Sequence, residues 1–176
     1  NFNDLNRDLR LVGFGAETQK VMSLLNLSDT QVDELLNPKE VIIEHESITA
    51  IEHFLRKADK LMICGDYDAD GVSSTAIAML IAKEIGLDKP GYFIPNRMDD
   101  GYGINKDIVK LVFDKGYTDL LLVDTGVKAT ESLQYALDLG LNVAVVDHHI
   151  IESFAVDCIL VHPEFLGAYA SEMSAG

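Results

Sequence analysis

Short apolar runs alternate with longer amphipathic stretches from residue 60 onward. Five such runs predict strands, at 61–64, 91–94, 120–123, 143–146 and 158–161. Three stretches between them predict helices by their apolar spacing, at 72–85, 105–115 and 130–139, and Asn105 is the predicted N-cap of the second. Strands that are apolar throughout are typical of a parallel sheet that is covered on both faces. The pattern therefore predicts an α/β fold, with a doubly wound, mostly parallel five-stranded sheet and helices on both faces.

Residues 1–58 have a different pattern, with helical spacing and no alternation of strand and helix. Within this segment, Ser47 precedes an apolar helical stretch and is its predicted N-cap. We therefore predict a short helical N-terminal segment at 1–58 and a separate α/β domain at 59–176. Residues 169–176 resemble the start of an unfinished element, so we expect the chain to be a piece of a longer protein.

The composition limits the classes of function. Hydrophobic residues make up 48% of the 176 residues, which is enough for a sizeable core. No apolar run reaches the ~18–20 residues that a membrane-spanning helix needs, so no membrane association is expected. Cys64 and Cys158 both lie in apolar runs, which predicts reduced thiols and a cytoplasmic protein. The net charge of −15 excludes a broad basic surface, so any contact with nucleic acid must be local or belong to another part of the protein.

Polar residues follow three of the predicted strands at the point where each strand ends. They are Asp66, Asp68 and Asp70 after the first strand, Asp124 after the third, and Asp147, His148 and His149 after the fourth. The carboxyl ends of parallel strands meet at one edge of a sheet, so these side chains are expected to converge. Grouped carboxylates repel one another, and a hard divalent cation relieves that repulsion. Oxygen and imidazole ligands suit Mn²⁺ or Mg²⁺, with Zn²⁺ as a further option, and their number favours two ions and hydrolysis of a phosphoester.

Simpler motifs account for these acids less well. One aspartate at a strand end is explained by a helix cap or a turn, but three such strands favour a metal site. An EF-hand loop counted from Asp66 fits at four positions and then requires a glutamate where Ile77 stands. A P-loop is excluded because no Gly-Lys-Ser/Thr follows the strand. A phosphatase motif with Asp68 as covalent nucleophile stays second, because it leaves Asp124 and the two histidines without a role.

The segments Asp66–Gly71 and Asp147–His149 resemble the DHH phosphoesterase superfamily. The segment Ile94–Gly103, in which Pro-Asn-Arg is followed by Gly-Tyr-Gly, is similar to the RecJ branch of single-strand-specific 5′→3′ DNA exonucleases. The resemblance covers about residues 60–176. It implies a DHH catalytic domain that binds two Mn²⁺ or Mg²⁺ ions and acts on single-stranded DNA in DNA repair and recombination, with its repair-protein partners unspecified.

The resemblance also implies roles for individual residues. Those that match the family's metal ligands are Asp68, Asp70, Asp124 and His148. His149 is expected to face the metals or the scissile phosphate. Arg97 is expected to hold phosphate through its planar guanidinium group, with a structural salt bridge as the alternative. Asp66 is expected to support the loop or a neighbouring ligand, and Asp147 to orient the neighbouring imidazole.

The chain departs from the family pattern at three points. Cys64 stands where the resemblance implies a histidine ligand, which predicts a lost ligand or a shift of preference toward Zn²⁺. Asp124-Thr125-Gly126 replaces the usual Asp-Asn-Gly. A further metal-binding aspartate and a C-terminal substrate-binding domain are expected after Gly176, so the chain alone is expected to have weak or no activity.

The sequence thus predicts metal-assisted hydrolysis of a phosphodiester in single-stranded DNA. The nearest alternative is a DHH phosphoesterase that acts on oligonucleotides or small nucleotides. A degenerate, non-catalytic DHH scaffold also stays open, because function depends on the site rather than on the fold. Cys64 and Thr125 are the residues that keep this last alternative open.

Overall fold

The computed structural model describes residues 43–95 and 103–167, together with Leu24, Leu25, Ser28, Thr30, Gln31 and Ser174. Arg97, the predicted phosphate-binding residue, lies outside the described residues. The chain divides into two compact units, Asn1–Ile42 and Ile43–Gly176, and the second contains the sheet. Within the described ranges, no helix combines the length and the apolar character needed to cross a membrane.

Five strands form one parallel sheet, which confirms the predicted fold class. The strands are β1 Leu61–Gly65, β2 Gly91–Phe93, β3 Asp119–Val123, β4 Asn142–Val146 and β5 Ile159–Val161. Their order across the sheet is β2-β1-β3-β4-β5. Every residue of β1 and β3 is buried, because both strands have neighbours on two sides and helices on both faces. The observed ends of each strand differ from the predicted ones by no more than one residue.

Helices cover both faces of the sheet, as predicted. The described part of the second unit contains α1 Glu46–Lys57, α2 Ala69–Glu84, α3 Lys106–Asp114, α4 Thr130–Asp138 and α5 Pro163–Leu166. Two helices, α1 and α2, pack on one face through Phe54, Ala58, Ala78 and Ala82. The other face is covered by α3 and α4 through Val109, Val112, Leu133 and Ala136. The small side chains of α2 let that helix lie close to the sheet.

The two helix N-caps predicted from local sequence have different outcomes. Asn105 caps α3 as predicted, because its side chain accepts a hydrogen bond from Ile108 N at 2.9 Å. The predicted cap Ser47 is wrong: it lies inside α1, and the N-cap is His45, whose Nδ1 accepts from Ser47 N at 3.2 Å. A neutral imidazole nitrogen accepts a hydrogen bond as a hydroxyl does, although caps are more often serine or threonine.

The boundary between the two compact units lies between residues 42 and 43, whereas the sequence pattern placed it near residue 58. The physical reason is α1, whose Phe54 joins the same core cluster as Ile63 of β1. This helix therefore packs with the sheet, and its composition alone did not indicate that. The assignment of 59–176 as a catalytic domain stays a prediction.

The register of the strands determines which polar residues lie side by side at the carboxyl edge of the sheet. The last residues of four strands pair side by side: Gly65, Val123, Val146 and Val161. The residues that follow them directly form the next row: Asp66, Asp124, Asp147 and His162. All four of these polar residues are buried. The sheet thus places side chains from four strand ends against one another.

Asp119 lies at the opposite edge of the sheet and provides a test of the fold. This buried carboxylate accepts hydrogen bonds from Asp59 N at 3.0 Å and from Asn142 Nδ2 at 2.9 Å. We expect Asp119→Ala to lower the free energy of unfolding by about 1–3 kcal/mol, because it leaves both donors without their acceptor. Chemical denaturation followed by circular dichroism measures the change. Asp138→Asn, which alters an exposed acid on α4, is the control, and an equal effect of the two variants would contradict the structural role.

Candidate metal centre

The first group of acids lies where β1 turns into α2. Asp66 is buried, and its Oδ1 accepts a hydrogen bond from Tyr67 N at 2.7 Å. Asp68 is the N-cap of α2 and accepts from Gly71 N at 2.9 Å, a bond that lowers the pKa of Asp68. A Cβ atom at position 71 would lie 2.3 Å from the carbonyl oxygen of Asp66. Glycine is therefore what lets the helix begin directly beside Asp66, with Asp70 in its first turn.

Asp124, directly after β3, is buried with 1% of its side chain exposed. Neither of its carboxylate oxygens accepts a hydrogen bond from the part of the chain that the structure describes. Burial, followed by the negative charges of Asp70 and Asp68, raises the pKa of Asp124 to about 6. Burying a charged carboxylate without a hydrogen-bond donor raises the free energy of the folded protein, and repulsion from the neighbouring acids raises it further. A cation at this position would relieve both effects.

His148 brings an imidazole to the same place from the end of β4. Its Nε2 lies 3.1 Å from Asp124 Oδ1 and 3.5 Å from Asp70 Oδ2. The shorter distance lacks the geometry of a hydrogen bond, since Oδ1 of Asp124 has no hydrogen-bond partner among the described residues. One third of the His148 side chain is exposed, at 34%, so the point of convergence is open to solvent.

Asp147 has a different role from the other acids, because its oxygens already accept hydrogen bonds. Its Oδ2 accepts from Val127 N at 3.0 Å, and its Oδ1 accepts from His148 N at 2.7 Å and from His149 N at 3.1 Å. Burial alone raises the pKa of Asp147, but the hydrogen bonds from Val127 and His149 outweigh it and leave the pKa below its usual range. Asp147 therefore orients the loop that follows β4.

The imidazole of His149 is fixed by Asp147. Its Nδ1 lies 2.7 Å from Asp147 Oδ1, and a carboxylate oxygen only accepts, so Nδ1 carries the proton. In a neutral ring the lone pair is then on Nε2, on the side away from Asp147. Histidines that bind metals usually donate their other ring N–H to a carboxylate in this way. The imidazole that Asp147 orients is thus that of His149.

The donor atoms form two sets of three that share Asp124. One set is Asp124, His148 and His149, the other is Asp66, Asp68 and Asp124, and within each the donor atoms lie within 4.8 Å of one another. Such spacing lets three atoms contact one ion, since ligand distances for Zn²⁺ and Mg²⁺ are about 2.0–2.2 Å. Carboxylate and imidazole donors suit Mn²⁺ and Mg²⁺. These residues, with the unpartnered oxygens of Asp124, therefore fit a divalent cation.

The structure brings most of the predicted site residues together. Asp68, Asp124 and His148, which were predicted as ligands, all belong to these sets. Asp70, the fourth predicted ligand, lies outside both sets but within 3.5 Å of His148 Nε2. Asp66, expected only to support the loop, belongs to the second set. The assignment of each residue as a ligand stays a prediction.

Cys64 faces the core rather than the acids. It packs in the hydrophobic cluster that contains Leu122 and Val145, with 2% of its surface exposed. Burial raises the pKa of its thiol to about 12, whereas binding to a metal requires the thiolate. Side chains alternate between the two faces of β1, and this alternation directs Cys64 into the core. The geometry gives no support to a supporting role for Cys64 or to a shift toward Zn²⁺.

A cleft of about 380 Å³ opens beside the donor atoms of Asp66, Asp124 and His149. Lys128 and Thr130 line its other end, at the start of α4. The volume lies in the range of small-ligand sites. The cleft therefore has room for a nucleotide-sized group in contact with the acidic edge.

His162 is the residue of this edge that the sequence pattern did not single out. It follows β5 directly and is buried, with 2% of its surface exposed. The rule that identified Asp124, a polar residue immediately after an apolar strand, applies equally to His162. The signal was present in the sequence, but His162 is followed by Pro163 and lies far from the acidic motifs.

The chain is similar to known proteins of one family. The sequence profile of the DHH family, N-terminal domain, matches residues 60–172. The single-stranded-DNA-specific exonuclease RecJ of Haemophilus influenzae is 30% identical over 122 residues, which cover 69% of this chain and 21% of that protein. The RecJ of Thermus thermophilus is 34% identical over 119 residues, which cover 67% of this chain and 17% of that protein. The chain spans about a fifth of the length of these relatives.

Solved structures share the fold. A crystal structure of exonuclease RecJ bound to manganese superposes with a TM-score of 0.61 at 31% identity, covering 72% of this chain and 33% of that one. The structure of RecJ from Thermus thermophilus in complex with Mn²⁺ gives a TM-score of 0.54 at 29% identity, covering 69% of this chain and 17% of that one. With a profile match over residues 60–172, the chain belongs to the DHH family.

Proposed function

We propose that this chain holds the catalytic DHH domain, at 59–176, of a metal-dependent phosphodiesterase that acts as a 5′→3′ exonuclease on single-stranded DNA. The observation that carries the proposal is Asp124, a buried carboxylate whose oxygens have no hydrogen-bond partner among the described residues and which is shared by two sets of donor atoms. The similarity to RecJ proteins named as single-stranded-DNA-specific exonucleases supports the choice of substrate. Most of the contact with DNA would come from a substrate-binding domain elsewhere in the protein.

The proposed cofactors are two Mn²⁺ or Mg²⁺ ions. Similarity to two RecJ structures that contain manganese supports Mn²⁺. The residues that would hold the ions are Asp66, Asp68, Asp124, His148 and His149, with Asp70 beside them. When bound, divalent cations stabilise negative charge on a phosphate and lower the pKa of a water molecule.

The residues of the chain would divide the remaining tasks. The acids of the edge repel a phosphate, so substrate binding depends on prior neutralisation of their charge. Asp147 holds the Nδ1–H of His149, which leaves the lone pair of Nε2 free to contact an ion or to accept a proton beside the scissile phosphate. Arg97 is proposed to hold a phosphate through its planar guanidinium group.

Under the proposed function, Asp124 is required for activity. In the intact protein with Mn²⁺, we expect Asp124→Asn to lower the release of nucleotides from single-stranded DNA by more than about 100-fold. Loss of an outer partner of a metal ligand already costs about 10–100-fold, and this change removes a donor shared by both sets. Time courses with 5′-labelled DNA measure the rate. Asp138→Asn is the control, since it makes the same chemical change on the exposed surface of α4.

The substrate class is tested by the same assay. We expect the intact protein to degrade long single-stranded DNA faster than dinucleotides or 3′,5′-bisphosphate nucleotides, and to leave duplex DNA largely intact. Faster cleavage of the short substrates would support the small-nucleotide alternative instead. No cleavage of any substrate, combined with no binding of Mn²⁺ by calorimetry, would identify a non-catalytic scaffold.

The raised pKa of Asp124 predicts how the free energy of unfolding depends on pH. Its folded-state pKa of about 6 lies above the ordinary value of 3.8, so the metal-free protein is stabilised by protonation and loses that contribution as pH rises through 6. At pH 8 in EDTA, we expect Asp124→Asn to raise the free energy of unfolding by about 1–3 kcal/mol, since one pKa unit corresponds to about 1.4 kcal/mol. The difference should shrink toward pH 4. Asparagine also tolerates the left-handed backbone at this position, where φ is 57°.

With added Mn²⁺, we expect the wild-type protein to become more stable than Asp124→Asn. The wild-type protein gains stability from any ligand that binds only the folded state, by about 2.7 kcal/mol at a hundredfold excess over Kd. The variant lacks the shared donor and should gain much less. Urea denaturation with and without Mn²⁺ measures both differences. A variant that is less stable than wild type in EDTA at pH 8 would show that Asp124 is not a strained charge.

A further inference from the structure

His162 ties β5 to the loop that carries the two histidines. It stands in the same row as Asp124 and Asp147, directly after Val161, which pairs with Val146 of β4. Its side chain belongs to neither set of donor atoms identified among the described residues. A buried imidazole at this edge that does not face the acids must have a different role from theirs.

Two hydrogen bonds fix the protonation of the His162 ring. Nδ1 accepts from Glu164 N at 3.2 Å, and a backbone N–H only donates. Nε2 lies 2.8 Å from the carbonyl oxygen of His149, which only accepts, so Nε2 must carry a proton. The ring is therefore the neutral Nε2–H form, with both nitrogens engaged.

The loop that His162 contacts has no regular structure to hold it. Residues 147–158, between β4 and β5, form neither helix nor strand. His149 is fixed on one side by Asp147, which accepts from its backbone N–H and from its ring. The carbonyl group of His149 is fixed on the other side by His162, and the next residue, Ile150, is 75% exposed. The contact with His162 thus holds the carbonyl side of His149, directly before the exposed Ile150.

We propose that His162 is a positioning residue, which holds the backbone of His149 so that its ring stays against Asp147 with Nε2 directed to the set that contains Asp124. The proposal rests on the proposed function of that set as a cation site. It assigns the buried histidine of β5 to the same site as the residues of β3 and β4. In this role His162 acts through its hydrogen bond to the backbone of His149, and it is not itself a member of either set of donor atoms among the described residues.

A matched pair of variants separates hydrogen bonding from packing. His162→Phe keeps a planar ring of similar volume, which is also able to pack against Phe165 at the present ring distance of 5.9 Å, but it removes the donor. His162→Gln places an amide N–H near the position of Nε2 and keeps the donor. In the intact protein, we expect His162→Phe to weaken Mn²⁺ binding about 10–100-fold by calorimetry, as loss of an outer hydrogen bond to a metal ligand does. We expect His162→Gln to restore the affinity to within about threefold of wild type.

A second measurement is independent of metal. Long-range ¹H–¹⁵N correlation spectra of the metal-free wild-type protein should show His162 as the Nε2–H tautomer and His149 as the Nδ1–H tautomer. In His162→Phe, the His149 ring should lose its fixed tautomer, and in His162→Gln it should keep it. Thermal unfolding of both variants shows whether they fold.

The outcomes distinguish this inference from the proposed function. Equal Mn²⁺ affinity in wild type and a folded His162→Phe would overturn the positioning role and leave the function intact. A different tautomer of His162 in the wild type would also overturn it, even if His162→Phe fails to fold. If the wild-type protein binds no Mn²⁺ although both tautomers are as stated, the proposed function fails and the hydrogen-bond arrangement stands.

Discussion

The charge of Asp124 is the constraint on which the carboxyl edge of this sheet depends. Its carboxylate is enclosed by protein, receives no hydrogen bond from the described residues and has acidic neighbours. In a metal-free protein, protonation of the carboxylate relieves this charge, because burial and the neighbouring acids raise its pKa. The same arrangement makes the position favourable for a cation. Burial and the neighbouring negative charges raise the free energy of the metal-free protein, and a bound cation would relieve both.

The fold creates this situation through the register of its parallel strands. Because Gly65, Val123 and Val146 pair side by side, the aspartates that follow them cannot avoid one another. Gly71, in the first turn of α2, has no side chain, and this lets the start of that helix lie against Asp66. Asp147 differs from Asp124 in its hydrogen bonds. Its carboxylate oxygens accept from the backbone N–H groups of Val127, His148 and His149, so Asp147 orders the loop that follows β4.

Much of this arrangement could be predicted from the sequence, because strand ends and helix caps are local signals: the strands were located to within one residue, and Asn105 was recognised as a cap. What the sequence did not indicate depends on tertiary packing. Cys64 joins a core cluster that distant residues form. Asp66 and Asp147 both directly follow apolar strands, so the sequence pattern treats them alike. In the folded protein, Asp66 accepts a backbone hydrogen bond from Tyr67, whereas Asp147 accepts from three backbone N–H groups. His162 was visible in the sequence, but it becomes informative only when the register places it in the row of Asp124.

The left-handed backbone at Asp124 has a consequence for how this site evolves. With φ at 57°, the position accepts glycine, asparagine and aspartate readily, and resists β-branched side chains. A lineage that abandoned catalysis would thus find asparagine or glycine within easy reach, since either keeps the turn and removes the buried charge. Under the proposed function, this is the position to compare when members of the family that keep the buried aspartate are separated from members that have lost it.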